Sequence, residues 1–307
     1  MEQVVDIATD GRHLSRHRGF LLVEEGGAEV GRVPLDRINS VIVHAHGTTW
    51  TASLMVELAR RGCLAVLCHA NHAPAALLWP IEGHHEQGAR MRAQWDAPKP
   101  LSKRAWTMVI KAKVAMQAAA LEAVGKPPAP VAALVRKVRS GDPDNVEAQA
   151  ARRYWPLLMG KNFRRDTGGN GANALLNYGY TVLRAATARA VLATGLHPTI
   201  GIHHRARGNA FALADDLMEP FRPLVDLATR RISIEAGEEV TPEAKLALAR
   251  ILSFDLAIRE PNGVVTTTVT GALSRLTVSL AQSFEAGKPS LVLPEIPSPL
   301  ALAELGR

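Results

Sequence analysis

Gly201-Ile-His-His-Arg-Ala-Arg-Gly-Asn-Ala-Phe-Ala-Leu-Ala-Asp-Asp-Leu-Met-Glu-Pro-Phe-Arg-Pro223 is the densest run of chemistry in this 307-residue chain. Two adjacent histidines, an Arg- and Gly-containing turn and a set of acids ending at Glu219 share one short segment with apolar anchors. A hard divalent cation takes carboxylate oxygens with at most an imidazole beside them. A histidine followed by acids on the next element supplies both from one supersecondary unit.

A further acid stands upstream. The pattern over Asn145–Met159 predicts a helix in which Glu147, Ala151, Tyr154 and Leu158 recur at i, i+4, i+7 and i+11, so the carboxylate shares the apolar face. Asp144-Asn-Val-Glu147 equally fits a capping box, in which Glu147 returns a hydrogen bond to the helix start. Spacing alone leaves both readings standing. The surrounding sequence is helical too. Ser102–Val124 carries a Trp106, Val109, Ile110, Val114 stripe with Lys111 and Lys113 off it, and Ala174–Thr194 runs through Leu176, Tyr180, Leu183, Thr187 and Val191 with Asn173 as a candidate cap. Further helices are predicted over Leu224–Ile232, Thr241–Phe254 and Val269–Phe284, and the proline-bearing tail from Ala286 is expected to be extended or loosely packed.

The first eighty residues read differently. Phe20–Glu25 and Ala28–Val33 flank Gly26-Gly27 as a hairpin, Ile38–His44 is a strand, and Thr51 opens a helix that ends before Gly62. Cys63–Cys68 and Ala75–Trp79 return to extended structure, and both cysteines sit in an apolar run that makes them core thiols. The expected class is α+β with two domains: a small β-rich domain over 1–81, a linker over 82–100 with a helical piece near Arg90–Gln94, and a larger all-α domain over 101–307. The His84-His85 pair in that linker is expected to face water.

Charge is unevenly distributed. Residues 1–81 hold seven basic and eight acidic side chains, 82–166 hold sixteen and eight, and 167–307 hold thirteen of each, so the net +7 arises in the middle. A localised surplus is the footprint of a polyanion-binding surface, with Lys103, Arg104, Lys111, Arg164 and Arg165 as candidates. No run of eighteen apolar residues and no signal peptide is present, which leads to the expectation of a cytoplasmic protein without a membrane partner.

Glu147 with Ala150-Ala-Arg-Arg-Tyr-Trp155, Asn173-Ala-Leu-Leu-Asn-Tyr-Gly-Tyr180, Gly201-Ile-His-His204 and Asp216-Leu-Met-Glu-Pro-Phe-Arg-Pro223, in that order, resemble the CRISPR-associated protein one family, with an overall length similar to its type II variants. The resemblance implies a β-rich dimerisation domain before a helical catalytic domain. It implies Glu147, His204 and Glu219 as catalytic metal ligands, with Asp216 in support and Mg2+ or Mn2+ as the ion. The implied reaction joins the terminal hydroxyl of a short DNA to a repeat-boundary phosphodiester, alongside nuclease action on double-stranded and branched DNA. The implied partner is the small ferredoxin-like CRISPR-associated protein two, flanked by two homodimers in a heterohexamer. Two other classes account for part of the sequence: a DNA-binding scaffold without chemistry, and a metal-dependent hydrolase of small phosphate esters.

Overall fold

The computed structural model describes residues 3–69, 74–204, 206, 208–260 and 262–306. It divides into two compact units, Met1–Gly83 and His84–Arg307.

The first unit contains β1 (Gln3–Ile7), β2 (Arg12–His17), β3 (Phe20–Glu25), β4 (Ala28–Pro34), β5 (Ile38–Val43), β6 (Thr49–Trp50), α1 (Ala52–Arg60), β7 (Leu64–Cys68) and β8 (Pro74–Leu78). They form two four-stranded sheets, ordered β1-β5-β7-β8 and β4-β3-β2-β6. Gly26 and Gly27 both take positive φ, 57° and 82°, which is what a tight two-residue hairpin between β3 and β4 requires. Thr51 caps α1 by accepting from the Leu54 amide at 3.3 Å. Strand β5 is buried along its whole length because parallel neighbours flank it on both sides. Its Val41 joins Leu14, Leu21, Leu54 and Leu58 in the core, and the thiols of Cys63 and Cys68 are buried and not joined in a disulfide. A cavity of about 530 Å³ in this unit is lined, among the described residues, by apolar side chains with His46 and Thr48.

The second unit contains α2 (Gln87–Trp95), α3 (Lys99–Ala123), α4 (Ala129–Ala132), α5 (Val146–Met159), α6 (Ala172–Ala193), α7 (Ala212–Met218), α8 (Arg222–Glu235), α9 (Pro242–Ala249), β9 (Asp255–Glu260), β10 (Gly263–Thr268), α10 (Val269–Ala286) and α11 (Pro299–Gly306). Helix α6 is its axle. It is buried at sixteen positions from Ala172 to Leu192 and packs against α7, α8, α9 and α10. Glycine at 179 sets how closely α8 approaches, since a Cβ there would lie 2.5 Å from Val225 Cγ1. None of the described helices is long and apolar enough to cross a membrane.

Three features depart from the sequence reading. The expected linker is largely an ordered part of this unit. Gln94 on α2 is buried, donating to the carbonyls of His197 (3.0 Å) and Ile200 (2.8 Å) and accepting from the His197 amide (2.8 Å). The unit is not all-α either: the β-branched run Gly263–Thr268 pairs antiparallel with Asp255–Glu260 as a hairpin. The tail is not extended throughout. Pro299 starts α11, the Ser298 hydroxyl accepts from the Ala301 amide at 3.2 Å, and Leu302, Ala303 and Gly306 are buried where α11 packs on α3 and α8.

The α6–α8 approach is directly testable. Gly179→Ala is expected to lower the free energy of unfolding by about 1–3 kcal/mol in a urea titration, because the stiff Val225 side chain outweighs the helix-propensity gain.

Candidate metal-binding active site

The carboxylate of Glu147, on the first turn of α5, points into the helical unit and meets the ammonium of Lys113 from α3 at 2.6 Å. The same ammonium lies 2.5 Å from Glu219 Oε2, on the short 3₁₀ turn Glu219–Phe221 that joins α7 to α8. Glu219 is almost fully buried and Lys113 nearly so, while a quarter of the Glu147 side chain remains accessible. Arg222 reaches the other oxygen of Glu219 at 3.1 Å and lies over the Tyr180 ring with its guanidinium carbon 4.9 Å from the centroid. Two acids and two bases thus close a charge-balanced cluster.

The capping-box reading of Glu147 fails for a local reason. Asn145, in the left-handed region at φ 50°, is the actual cap: its side chain accepts from the Ala148 amide at 3.2 Å. Asp142 takes the amides of Val146 (2.8 Å) and Glu147 (3.0 Å), and Asp144 is bound by Arg139. With the helix start already satisfied, the Glu147 carboxylate is free to turn inward. Burial pushes that carboxyl up, but the Lys113 ammonium outweighs it and holds the group below its ordinary range. Burial likewise pulls the Lys113 ammonium down, and Glu219 and Glu147 together carry it above its usual value.

His204 is set by Asp216. This fully buried carboxylate accepts from the His203 amide at 2.9 Å and the His204 amide at 3.3 Å, and it binds His204 Nδ1 at 2.5 Å. One ring nitrogen of His204 is therefore engaged, leaving Nε2 for a ligand in the arrangement that orients metal-bound imidazoles. The Asp216 hydrogen bond, against an opposing pull from burial, raises the imidazole above its ordinary pKa. The neighbouring ring diverges: His203 stacks flat on Trp106, with centroids 4.2 Å apart and planes at 3°. The charges of Glu147 and Glu219 act on His204, so all three expected ligands share one electrostatic neighbourhood. They do not yet converge as a tight donor set. Among the described residues, the group with three ligand atoms all within 4.8 Å of one another is His84, His85 and Glu86. There His85 and Glu86 are exposed, and Arg90 holds Glu86 at 3.0 Å and lies 3.2 Å from His84 Nε2.

Two carboxylates and one imidazole are donors suited to a hard divalent cation, and the Lys113 ammonium already stands as a cation between the two acids. Lys113 lies off the apolar stripe of Trp106, Val109, Ile110 and Val114 and so is not a candidate from sequence. Counted from Trp106 it falls at i+7, with Ile110 at i+4 and Gln117 at i+11, on the buried face. Arg165 is held by Asn173 (3.0 Å) and Asn177 (2.6 Å) and lies near Tyr180, so it braces the 160–171 loop. Asn173 serves that bracing, and the cap of α6 is Gly171. Beside His204 opens a groove of about 890 Å³ lined by Gln94, Trp95, Lys99, Thr199 and Asn209, with Trp95 76% exposed.

Comparison with known proteins agrees with this architecture. The family model described as CRISPR associated protein Cas1 matches residues 5–234. The CRISPR-associated endonuclease Cas1 of Neisseria meningitidis serogroup C (strain 8013) is 37% identical over 254 residues, covering 81% of this chain and 83% of that protein. Among solved structures, a casposase bound to integration product aligns with a TM-score of 0.78 at 19% identity, over 95% of this chain and 92% of that one. A Cas6-RT-Cas1–Cas2 complex aligns with a TM-score of 0.75 at 16% identity, over 96% of this chain and 36% of that one.

Asp216 and His204 are expected to separate by denaturant titration. Asp216→Ala removes an acceptor of two amides and a ring nitrogen and should lower stability by about 2–4 kcal/mol. His204→Ala, at a side chain 40% exposed, should stay within about 1 kcal/mol of the native protein.

Proposed function

Since the chain belongs to the CRISPR-associated Cas1 family, we propose that Glu147, His204 and Glu219 are its metal ligands and Asp216 the residue that aims His204. The protein is a DNA endonuclease and integrase of CRISPR adaptation. The observation that carries the site assignment is the pair of inward carboxylates, from α5 and from the α7–α8 junction, held together around one cation.

Mg2+ or Mn2+ is the ion proposed, because oxygen donors outnumber nitrogen in the set. When bound, it would polarise the scissile phosphate and stabilise the charge that develops as an attacking hydroxyl displaces the leaving oxygen. The protein's own contribution is placement. Asp216 fixes the His204 ring, Arg222 holds Glu219 through its second oxygen, and Trp106 stacks flat on His203. The groove beside His204 receives an unpaired stretch of the DNA strand on this reading, with exposed Trp95 offering a face on which a base stacks. Lys99, Lys103 and Lys111 recur along α3 at exposed positions and supply phosphate contacts, as does exposed Arg104. The partner is Cas2, in keeping with the complex named above. A homodimer formed through the first unit, two such dimers flanking Cas2 in a heterohexamer, and a cytoplasmic location complete the proposal.

Glu147→Gln, His204→Ala and Glu219→Gln are each expected to cut metal-dependent strand transfer of a short duplex into a repeat-bearing plasmid by more than about a hundredfold, as EDTA does, without loss of DNA binding. His203→Ala should reduce it only modestly. Near-native transfer by Glu147→Gln would remove it from the ligand set. In a separate salt titration, reversing the charge of Lys99, Lys103 and Lys111 together should flatten the dependence of DNA affinity on salt by a slope of about one per lost phosphate contact. An unchanged slope would move the DNA surface elsewhere.

A further inference from the structure

Three of the four carboxylate oxygens of the two acids already lie within ion-pair distance of a side-chain cation. Lys113 bridges Glu147 Oε1 and Glu219 Oε2 at 2.6 and 2.5 Å, which sets those oxygens within about 5 Å of each other, and Arg222 covers the remaining Glu219 oxygen. Two carboxylates against one ammonium and one guanidinium make a neutral set. A divalent ion entering without a departure would leave two uncompensated positive charges in a site where Glu219 is 3% and Lys113 9% exposed. Space leads to the same result as charge. Metal–oxygen bonds of about 2.0–2.2 Å to the same two oxygens would put the ion where the nitrogen now sits.

We infer that Lys113 is a resident counter-cation: it holds Glu147 and Glu219 close to one another and competes with the divalent ion for them. This rests on the assignment of those acids as metal ligands. Lysine suits the role better than arginine, because its compact head fits between two oxygens and its four-carbon stem can swing the charge aside without moving α3. The side chain thus has two tasks in sequence. Without metal it prevents the two buried carboxylates from repelling one another and pulling α5 away from the α7–α8 junction. With metal it must leave, so it sets the ion concentration at which the site fills.

The test is Mn2+ binding by the full-length protein without DNA, read from the electron paramagnetic resonance of free Mn2+, together with thermal unfolding in EDTA and in Mn2+. Lys113→Met is expected to bind Mn2+ at least about tenfold more tightly than the native protein, to unfold at a lower temperature in EDTA, and to regain that loss when Mn2+ is added. Lys113→Gln, which keeps donors toward both acids without the charge, should fold even if the methionine variant does not, and should show the same tightening. Affinity in both variants equal to or weaker than native overturns the inference. Glu147→Gln and Glu219→Gln in the native background keep the two questions apart. If they abolish Mn2+ binding while the Lys113 variants show no tightening, the ligand assignment stands and the competition is wrong. If they bind as the native protein does, the ligand assignment itself falls, and the inference with it.

Discussion

A buried ammonium between two carboxylates is the constraint on which the helical unit depends. Lys113 comes from α3, Glu147 from α5 and Glu219 from the turn after α7, so one charge cluster ties together three segments distant in sequence. Breaking such a buried set by deleting one partner costs about 3–5 kcal/mol, because it strands the charges that remain. Apolar packing surrounds the cluster: Trp106, Ile110, Tyr154 and Phe221 are all essentially inaccessible. That packing makes the ion pairs strong, and it also makes any rearrangement of them discrete.

The second constraint is backbone satisfaction around Asp216. Residues 196–204 contain no helix or strand, and their amides need acceptors. Asp216 supplies two of them and fixes the His204 ring, while Gln94 from α2 clamps the carbonyls of His197 and Ile200 from the other side. Gly201 marks how tight this is: a Cβ there would lie 2.6 Å from the His204 carbonyl and 2.8 Å from Asp216 Oδ2. A non-regular segment held by buried side-chain hydrogen bonds keeps an imidazole in place as a helix would. It also leaves one edge of that imidazole facing an open groove.

Much of this was legible in the residues, and the misses have physical causes. The inward turn of Glu147 followed from its face on α5, but only the Asn145 and Asp142 caps decide between that and a capping box. Lys113 stands off the apolar stripe of α3 because such stripes are read from apolar residues alone, and the acids that pair with it, Glu147 and Glu219, lie far along the chain. Burial of Gln94 and the bracing by Arg165 have the same origin: both are polar side chains whose partners, in 197–200 and in Asn173 and Asn177, become neighbours only after folding. The β9–β10 hairpin and α11 fall in the last third of the chain, where local propensity and caps alone carry the signal. The family model stops at residue 234, before any of these elements.

Diffraction from crystals grown with Mn2+, measured at the manganese absorption edge, tests the central claim most directly. The account predicts one anomalous peak bonded to Glu147, Glu219 and His204 Nε2, with the Lys113 ammonium withdrawn from between the acids and Asp216 still on His204 Nδ1. A peak at His84, His85 and Glu86 instead, with Lys113 still bridging Glu147 and Glu219, would contradict it.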